Sequence, residues 1–311
     1  MQSLKNILIT GGSGLIGRKL TALLLERGYV VSHLNRKRRN NSVKTFLWDP
    51  SKGKIEVDAF RGIDAIIHLA GAGIADHRWN AKTREEILSS RTVSARLIRE
   101  CLKTQPHPIA VFVSASGISY YGLKDKPEPF IETDPPADDF MAHVAIAWED
   151  EARKFEALGS RVVMLRTGVV LSKEGGALKK LETPIKFFAG APLGSGRQYV
   201  NWIHIDDLCR MYLMALENPS MKGPYNAVAP NPVTNRTLTT AIAKVLKKPL
   251  WLPPVPGFVV KLIAGQVAKL VLKGDRVSCS KIEEQGFRFH FHTIEDALKA
   301  LYVHQPEHQH Q

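Results

Sequence analysis

The sequence predicts an α/β fold: a doubly wound parallel sheet with helices on both faces. Two observations carry this prediction. Short apolar runs of strand length alternate with stretches of helical periodicity, which is typical of parallel strands joined by right-handed helical crossovers. In addition, the first apolar run passes directly into a glycine-rich turn and a helix, an arrangement that opens many sheets of this kind.

The alternation of the two patterns sets the order of the elements. Strands are predicted at 4–10, 29–34, 45–48, 65–69, 109–113, 161–165 and 225–229. Helices are predicted from about residue 20 to 28 and at 81–102, 139–158, 202–216, 258–272 and 294–302. Because glycine and proline become frequent after residue 172, residues 1–172 are expected to form the sheet domain, with 203–229 returning to it. Residues 173–202 and 230–303 are expected to form a smaller C-terminal substrate-side α/β region, and 304–311 a disordered tail.

The turn after the first strand has the spacing of a dinucleotide-binding loop. Gly11, Gly14 and Gly17 follow the strand and open a helix, and a second strand comes at the right distance. Gly11 allows a sharp turn, Gly14 lets a pyrophosphate approach the backbone, and Gly17 lets the helix pack close to the strand. The helix N-terminus then offers free N–H groups and a partial positive charge to phosphates. The alternative is an ordinary tight turn between a strand and a helix.

The residues after the second strand indicate which dinucleotide is bound. An acidic side chain there would accept hydrogen bonds from the ribose 2′-hydroxyl of NAD. This chain has Asn35 and Arg36 instead, and a guanidinium can bind the 2′-phosphate of NADP. NADP(H) is therefore predicted in preference to NAD(H), with a solvated basic loop at 36–39 as the alternative.

Composition and charge narrow the class of protein. The chain has 311 residues, of which 44% are hydrophobic and 23% charged, as in an ordinary globular protein. No apolar run reaches the length of a membrane span. Three scattered cysteines form no metal or disulfide pattern, and the N-terminus leaves no room for a signal peptide, so a cytoplasmic protein without a metal or a membrane partner is expected. The net charge of +13 is spread along the chain without a nucleic-acid motif, which favours an anionic cofactor or substrate over nucleic acid.

Four motifs occur together in the order of a known family: TGGSGLIG at 10–17, HLAG at 68–71, SAS at 114–116 followed by YG at 121–122, and WIHIDD at 202–207. Together they resemble the extended short-chain dehydrogenase/reductases of the nucleotide-sugar epimerase/dehydratase group. Further motifs at 71–79, 90–91, 120–122, 148–149, 166–171 and 194–198 resemble an atypical subgroup whose members are often named only "epimerase family protein". Residues from about 250 to 301 look like its family-specific C-terminal segment, so the resemblance covers nearly the whole chain.

The resemblance implies a cofactor site along the carboxyl ends of the strands. The residues expected to contact NADP(H) are Gly11, Ser13, Gly14, Leu15, Ile16, Gly17, Asn35, Arg36, Leu69, Ala70, Gly71, Glu86, Arg91, Ser114, Thr167 and Val170. Because ligands lie outside the carboxyl ends of the strands, residues 175–196 and the C-terminal region are expected to form a lid over the nicotinamide end. An anionic substrate could there meet Lys179, Lys186 and Arg197. A homodimer is expected only by analogy with the superfamily.

The same comparison identifies what this chain lacks. Typical members use a Tyr and a Lys four residues apart on the helix after the serine, where the Lys lowers the pKa of the Tyr and the Tyr exchanges a proton with the substrate. Alignment on Trp148 and Glu149 places these two positions at Met141 and Ala145, and neither can titrate. Both fall on one helical stripe with Trp148, so the plain interpretation is that this face is core.

Other residues could supply the chemistry. Ser116 aligns with the catalytic serine of the superfamily, and Arg91 takes a helix position usually held by Asn, where it could stabilise an oxyanion or contact the cofactor. Glu86 is close enough to pair with Arg91 or to meet the ribose, with a surface ion pair as the alternative for both. Tyr121 is a candidate proton donor, with a packing tyrosine beneath the loop as its alternative.

Three further polar residues are weaker candidates. His143 lies two residues from Met141, or about 200° around the helix, so it is expected to point away from that stripe. His204 and Asp206 are expected to cap and orient the helix that begins there.

Two functions remain open from the sequence. The first is an NADP-dependent oxidoreductase or epimerase of unknown substrate, with Ser116, Arg91 and Tyr121 as its tentative catalytic residues. The second is a catalytically impaired NADP(H)-binding protein that regulates a partner. Intact cofactor motifs support the first, and the missing Tyr and Lys support the second.

Overall fold

A computed structural model describes residues 4–38, 43–76, 78–105, 109–124 and 126–303. Its strands are β1 (Asn6–Thr10), β2 (Val30–Asn35), β3 (Lys44–Asp49), β4 (Lys54–Ile55), β5 (Ala65–His68), β6 (Val111–Gly117), β7 (Arg161–Thr167), β8 (Val169–Leu171), β9 (Tyr199–Val200), β10 (Trp202–His204), β11 (Gly223–Ala227) and β12 (Val233–Thr234). Its α-helices are α1 (Leu15–Glu26), α2 (Ala81–Leu102), α3 (Phe140–Arg153), α4 (Gly176–Lys186), α5 (Ile205–Glu217), α6 (Asn235–Val245), α7 (Gly257–Ala264), α8 (Lys269–Leu272), α9 (Ser280–Glu284) and α10 (Ile294–Val303).

Eight strands form one sheet in the order β11-β7-β6-β5-β1-β2-β3-β4. Every neighbouring pair is parallel except the short β3–β4 hairpin at one edge. Two small sheets pair β8 with β10 in parallel and β9 with β12 in antiparallel orientation. The predicted doubly wound parallel sheet is confirmed.

The two faces of the sheet are covered by different helices because side chains alternate along each strand. Ile7 and Ile9 of β1 pack in one core with residues of α1 and α5, namely Leu20, Leu24, Leu208 and Tyr212. Leu8 faces the opposite side, in a core that includes residues of α2 and α3, namely Ile98, Leu102 and Ala152. Helices therefore lie on both faces, as the sequence predicts.

A third core lies in the part of the chain after β7 and does not include the strands of the main sheet. It contains buried residues from β8, α4, β10, α6 and α10, among them Leu171, Leu178, Trp202, Ile242 and Leu298. Its strands belong to the small sheets, and its helices come from the predicted C-terminal region. This core lies beyond the carboxyl end of β7, because β8 begins two residues after β7 ends.

Four predicted helices have different limits in the structure. The helix predicted from about residue 20 to 28 runs from Leu15 to Glu26. The helix predicted at 139–158 ends at Arg153, and a separate 3₁₀ turn at Glu156–Leu158 follows it, which ends at Gly159 with a φ of +83°. The helix predicted from residue 202 begins at Ile205, because 202–204 pair as β10. The helix predicted at 258–272 is broken into α7, a 3₁₀ turn and α8, since Gly265 adopts a φ of +59° that an α-helix cannot continue.

Membrane-spanning helices and clusters of metal ligands are both absent among the residues that the structure describes. None of their helices is long and apolar enough to cross a membrane. No group of three or more His, Cys, Asp or Glu side chains among them could hold a metal ion. The predicted tail at 304–311, and Arg39 of the predicted basic loop, lie outside the described residues.

Candidate cofactor and active site

The glycine turn joins β1 to α1 in the geometry that a bound dinucleotide requires. Gly11 has a φ of +69°, and Gly14 donates its backbone N–H to the Gly11 carbonyl at 2.9 Å. A Cβ on Gly17 would lie 2.4 Å from the Gly11 oxygen and 2.6 Å from the Gly12 Cα. Only glycine at 17 therefore lets the helix approach the turn this closely, whereas Gly14 is exposed and has only the Gly11 oxygen beside it.

The N-terminus of α1 is open for an anion. Gly14 is its N-cap and supplies no side-chain acceptor, and the first turn contains no acidic residue. The N–H groups of Leu15 and Ile16 lie in that first turn, which has no intrahelical acceptors. The neighbouring Ser13 is half-buried and uses its carbonyl to accept from Arg18 Nη1 at 3.0 Å. These groups fit a pyrophosphate.

The end of β2 carries an unsatisfied donor and a free cation. Asn35 is 6% exposed, and its Nδ2 atom has no hydrogen-bond partner among the described residues. Arg36 follows it, is exposed, and forms no ion pair within the described part of the chain. Because Thr10 pairs with Leu34, Asn35 lies beside Gly11 at the same edge of the sheet. Both side chains can donate hydrogen bonds to the ribose end of a dinucleotide.

The loop after β5 is tied to the end of β1 through one hydroxyl group. Thr10 Oγ1 accepts from the backbone N–H groups of Leu69 and Ala70, both at 3.2 Å, and lies 2.8 Å from His68 Nδ1. Because Thr10 Oγ1 accepts these two bonds, it donates its own hydroxyl proton to His68 Nδ1, which acts as an acceptor. The imidazole proton then lies on Nε2, which donates to Ser94 Oγ at 3.1 Å. Burial lowers the pKa of His68 to about 4, so this histidine is neutral near pH 7.

Arg91 supports the same loop from α2. Its Nη1 donates to the Ile87 carbonyl at 2.7 Å and its Nη2 to the Ala72 carbonyl at 3.1 Å, while the guanidinium lies over the Trp148 ring. A Cβ on Gly71 would lie 3.1 Å from the Arg91 Cζ, so the loop rests directly on the guanidinium. Arg91 is 5% exposed, and burial lowers its pKa to about 10.

The other expected contacts differ in their exposure. Glu86 is exposed and forms no ion pair with Arg91 or with any other described residue. Ser114 is buried and donates to the Ala115 carbonyl at 2.9 Å. Thr167 and Val170 are half-buried where β7 continues into β8.

Ser116 belongs to a buried ion-pair network. It lies near the end of β6 and donates its hydroxyl to Glu149 Oε1 at 2.9 Å. Arg166 binds the same carboxylate with two donors, Nε at 2.7 Å and Nη2 at 2.8 Å, and Arg153 donates to Glu149 Oε2 at 3.0 Å. Burial alone would lower the pKa of Arg166, but its bonds with Glu149 raise that pKa above its usual range. A carboxylate only accepts hydrogen bonds, so the Ser116 proton is directed away from any ligand.

Tyr121 lies in the same network. It is 1% exposed, donates its hydroxyl to Asn226 Oδ1 at 2.7 Å and accepts from Arg166 Nη1 at 2.9 Å. Burial raises its pKa to about 12. The Arg166 guanidinium also stacks on Tyr120, 3.5 Å from the ring centroid. The Tyr121 hydroxyl is thus buried beneath the loop that follows β6. This is the packing role that the sequence leaves open as the alternative to a proton donor.

The helical stripe that carries the lost Tyr and Lys positions is core. Met141, Ala145 and Trp148 are 5%, 2% and 8% exposed. His143 points away from them, as predicted, and its Nε2 contacts the exposed Asp138 at 2.8 Å. No titratable group of α3 except Glu149 and Glu151 is buried.

The motif at 202–207 starts a helix, as expected, but His204 is the cap. Its Nδ1 accepts from the Asp206 backbone N–H at 3.1 Å, while the Asp206 side chain pairs with Lys19 at 2.9 Å.

On the substrate side, Lys186 pairs with Glu182 at 2.6 Å. Lys179 and Arg197 are exposed and have no ion-pair partner in the described ranges.

Sequence reasoning missed three members of the network. Glu149, Arg166 and Asn226 are each at most 1% exposed, and the charged pair was noted only as part of family motifs. A signal was available, because Glu149 lies next to Trp148 on an apolar stripe and Arg166 ends a run of buried strand residues. Two opposite charges inside otherwise apolar elements indicate a pair when the elements are neighbours.

Comparison with known proteins identifies two family models that match this chain. A model of the NAD dependent epimerase/dehydratase family matches residues 7–229, and a domain of unknown function (DUF1731) matches 255–301. The epimerase family protein YfhF of Bacillus subtilis (strain 168) is 38% identical over 299 residues, which cover 95% of this chain and 97% of that relative. The human epimerase family protein SDR39U1 (isoform 2), solved with NADPH, is 30% identical, with a TM-score of 0.86 over 96% of this chain and 100% of that one.

A more distant solved structure shares the fold alone. UDP-glucose 4-epimerase of Thermus thermophilus, solved with NAD, is 21% identical, with a TM-score of 0.76 over 96% of this chain and 97% of that one. Fold and glycine turn together define an extended short-chain dehydrogenase/reductase with a dinucleotide-binding sheet. The chain belongs to the NAD dependent epimerase/dehydratase family, and its C-terminal segment confirms the subgroup that the sequence motifs indicated.

Proposed function

We propose that this protein binds NADP(H) in preference to NAD(H), within a reducing compartment such as the cytoplasm. The observation that carries the proposal is the adjacent ends of β1 and β2. There the open Gly14 turn lies beside Asn35, which has an unsatisfied amide, and Arg36, which has no carboxylate partner among the described residues. The human relative solved with NADPH supports the same preference.

Each part of the site has a definite role in this proposal. The N–H groups of Leu15 and Ile16 would hold the pyrophosphate, and Asn35 and Arg36 the 2′-phosphate. Arg91 keeps the loop at 70–72 in place beneath the cofactor by donating to the Ala72 carbonyl. Bound NADP(H) would supply a hydride donor or acceptor.

Cofactor binding is the function that the geometry supports best. We propose that the cofactor-bound protein regulates a partner. The Ser116 proton is directed to Glu149 and the Tyr121 proton to Asn226, while Met141 and Ala145 replace the usual Tyr and Lys. Arg91 is buried and already donates to two carbonyls. None of the three tentative catalytic residues therefore presents a ready acidic proton to a substrate.

A second candidate is an oxidoreductase or epimerase-like enzyme of unknown substrate. Its support is that Ser116 keeps its place near the carboxyl end of β6, where its oxygen can still accept a hydrogen bond. Lys179 and Arg197, both exposed, would then favour an anionic substrate. This candidate needs a proton donor from the substrate itself or from water.

Two measurements on the same protein test the proposal. Because a ligand that binds only the folded state stabilises it by mass action, NADPH should raise the melting temperature at lower concentrations than NADH. Absorbance at the NADPH band, followed against carbonyl compounds and nucleotide sugars, should show no turnover. Equal shifts with the two cofactors would contradict the NADP preference, and steady turnover of any substrate would favour the second candidate.

A further inference from the structure

One segment of the chain carries positive charge without any negative charge. Residues 218–274 contain eight Lys and Arg residues and no Asp or Glu. The segment therefore accounts for eight of the thirteen net positive charges of the protein. It includes α6, α7 and α8, and most of it lies outside the cofactor site described above.

Within this segment, α7 turns an apolar face outward. Phe258 and Leu262 are each 73% exposed and Ile263 is 70% exposed, whereas Val260 is 7% exposed on the inner side. Phe258 and Leu262 are one helical turn apart, so they lie on the same outer stripe. Large side chains this exposed and this close together mark an interaction surface in a folded protein.

Cations border the apolar stripe. Lys261 on α7, and Lys269 and Lys273 at α8, are exposed and form no ion pair with any residue that the structure describes. Leu270, 40% exposed, adds a further apolar side chain to α8. We call the outward residues of these two helices the α7–α8 face: Phe258, Leu262, Ile263 and Leu270 with Lys261, Lys269 and Lys273.

The α7–α8 face is fixed to the rest of the molecule. Arg78 donates its guanidinium to the last-turn carbonyls of α7, those of Leu262 and Ile263. Val260 and Ala268 are buried on the inner side of the same stretch. The apolar side chains are therefore held outward by a docked helix and are not the frayed end of a loose segment.

We propose that the α7–α8 face docks onto the surface of a membrane that contains anionic phospholipids. An amphipathic helix with Phe and Leu on one side and Lys beside them lies in the interface of such a membrane, and each nearby Lys is attracted by the negative surface potential. A second copy of the chain is a poor occupant, because it would bring the same unpaired cations together. The expectation of no membrane partner rested on span length alone, and this surface needs no span.

Co-sedimentation of the full chain with vesicles tests the proposal. Vesicles of phosphatidylcholine with phosphatidylglycerol should retain the protein about tenfold more strongly than phosphatidylcholine alone, and added salt should weaken the retention. The variant F258S/L262S/I263S should lose about tenfold or more of the binding to anionic vesicles. The matched control is L25S on α1, where Leu25 is 45% exposed, and it should bind like the unmodified protein.

Three outcomes would overturn the proposal. The first is no retention by anionic vesicles at low salt. The second is unchanged retention of F258S/L262S/I263S, which would mean that charge alone adsorbs the protein. The third is a concentration-dependent dimer that this variant abolishes, which would assign the face to a second copy. A melting curve of the variant with and without NADPH establishes that it is folded, because the three substituted side chains are exposed and none of them is assigned to the cofactor site.

Discussion

Replacing Glu149 tests whether the ion pair beneath Ser116 is a structural centre of the molecule. In E149L the Arg166 guanidinium, 1% exposed, loses its bidentate carboxylate and stays shielded from solvent. Removing one partner of a buried pair in this way costs about 3–5 kcal/mol. Ser116 also loses its acceptor, but a hydroxyl can rotate towards another. We therefore expect the free energy of unfolding to fall by about 3–5 kcal/mol, measured by urea unfolding followed through tryptophan fluorescence.

A double-mutant cycle separates the pair from its surroundings. R166M alone leaves Glu149 buried, and E149L/R166M replaces both charges by apolar groups, which is often close to neutral. The loss in the double variant should therefore be smaller than the sum of the single losses by about 2 kcal/mol or more. R153M is the control, since Arg153 has 41% of its side chain exposed and an exposed partner contributes less than about 1 kcal/mol. Additive single losses, or a loss below about 1 kcal/mol for E149L, would refute the reasoning.

Two further variants probe the glycine turn and the loop after β5. G17A should lose both stability and NADPH binding, because its Cβ would lie 2.4 Å from the Gly11 oxygen. G14A should keep its melting temperature and show only weaker NADPH binding in calorimetric titration. Equal melting temperatures for the two variants would contradict this expectation. His68 has a folded-state pKa of about 4, below its usual 6.5, so the unfolded chain binds more protons between these values and stability falls as the pH drops below about 6.5. At about pH 5 this histidine should remove about 2 kcal/mol relative to about pH 8, and H68N should show a flatter pH dependence of its urea midpoint; an unchanged slope in H68N would assign the effect to other groups.

The glycine turn and the parallel sheet could be predicted because their causes are local. Gly11, Gly14 and Gly17 adjoin a strand and a helix in sequence, and the tight contact of Gly17 with Gly12 is a property of that turn alone. The break between α7 and α8 could not be seen in the same way. A glycine inside an apolar periodic stretch is compatible with a helix, and only the structure shows that Gly265 adopts a left-handed φ.

Apart from the signal that the Glu149 and Arg166 charges leave in apolar elements, the buried network could not be predicted, because its members are distant in sequence. Ser116, Tyr121, Glu149, Arg166 and Asn226 come from a strand, a turn, a helix and two further strands. Only the order β11-β7-β6 in the sheet brings the ends of these strands together. The sequence therefore identified Ser116 and Tyr121 as polar candidates, but it carried no sign that each hydroxyl would be bound to an internal acceptor.

The central claim, NADP(H) binding through Arg36, is tested most directly by calorimetric titration of NADPH and NADH into the protein and into R36A. A charge-assisted hydrogen bond contributes about 1.5–3 kcal/mol, which corresponds to a preference for NADPH of about tenfold or more in the unmodified protein. R36A should bind NADH as before and lose most of that preference. Equal dissociation constants for the two cofactors in the unmodified protein, or an unchanged preference in R36A, would contradict the account.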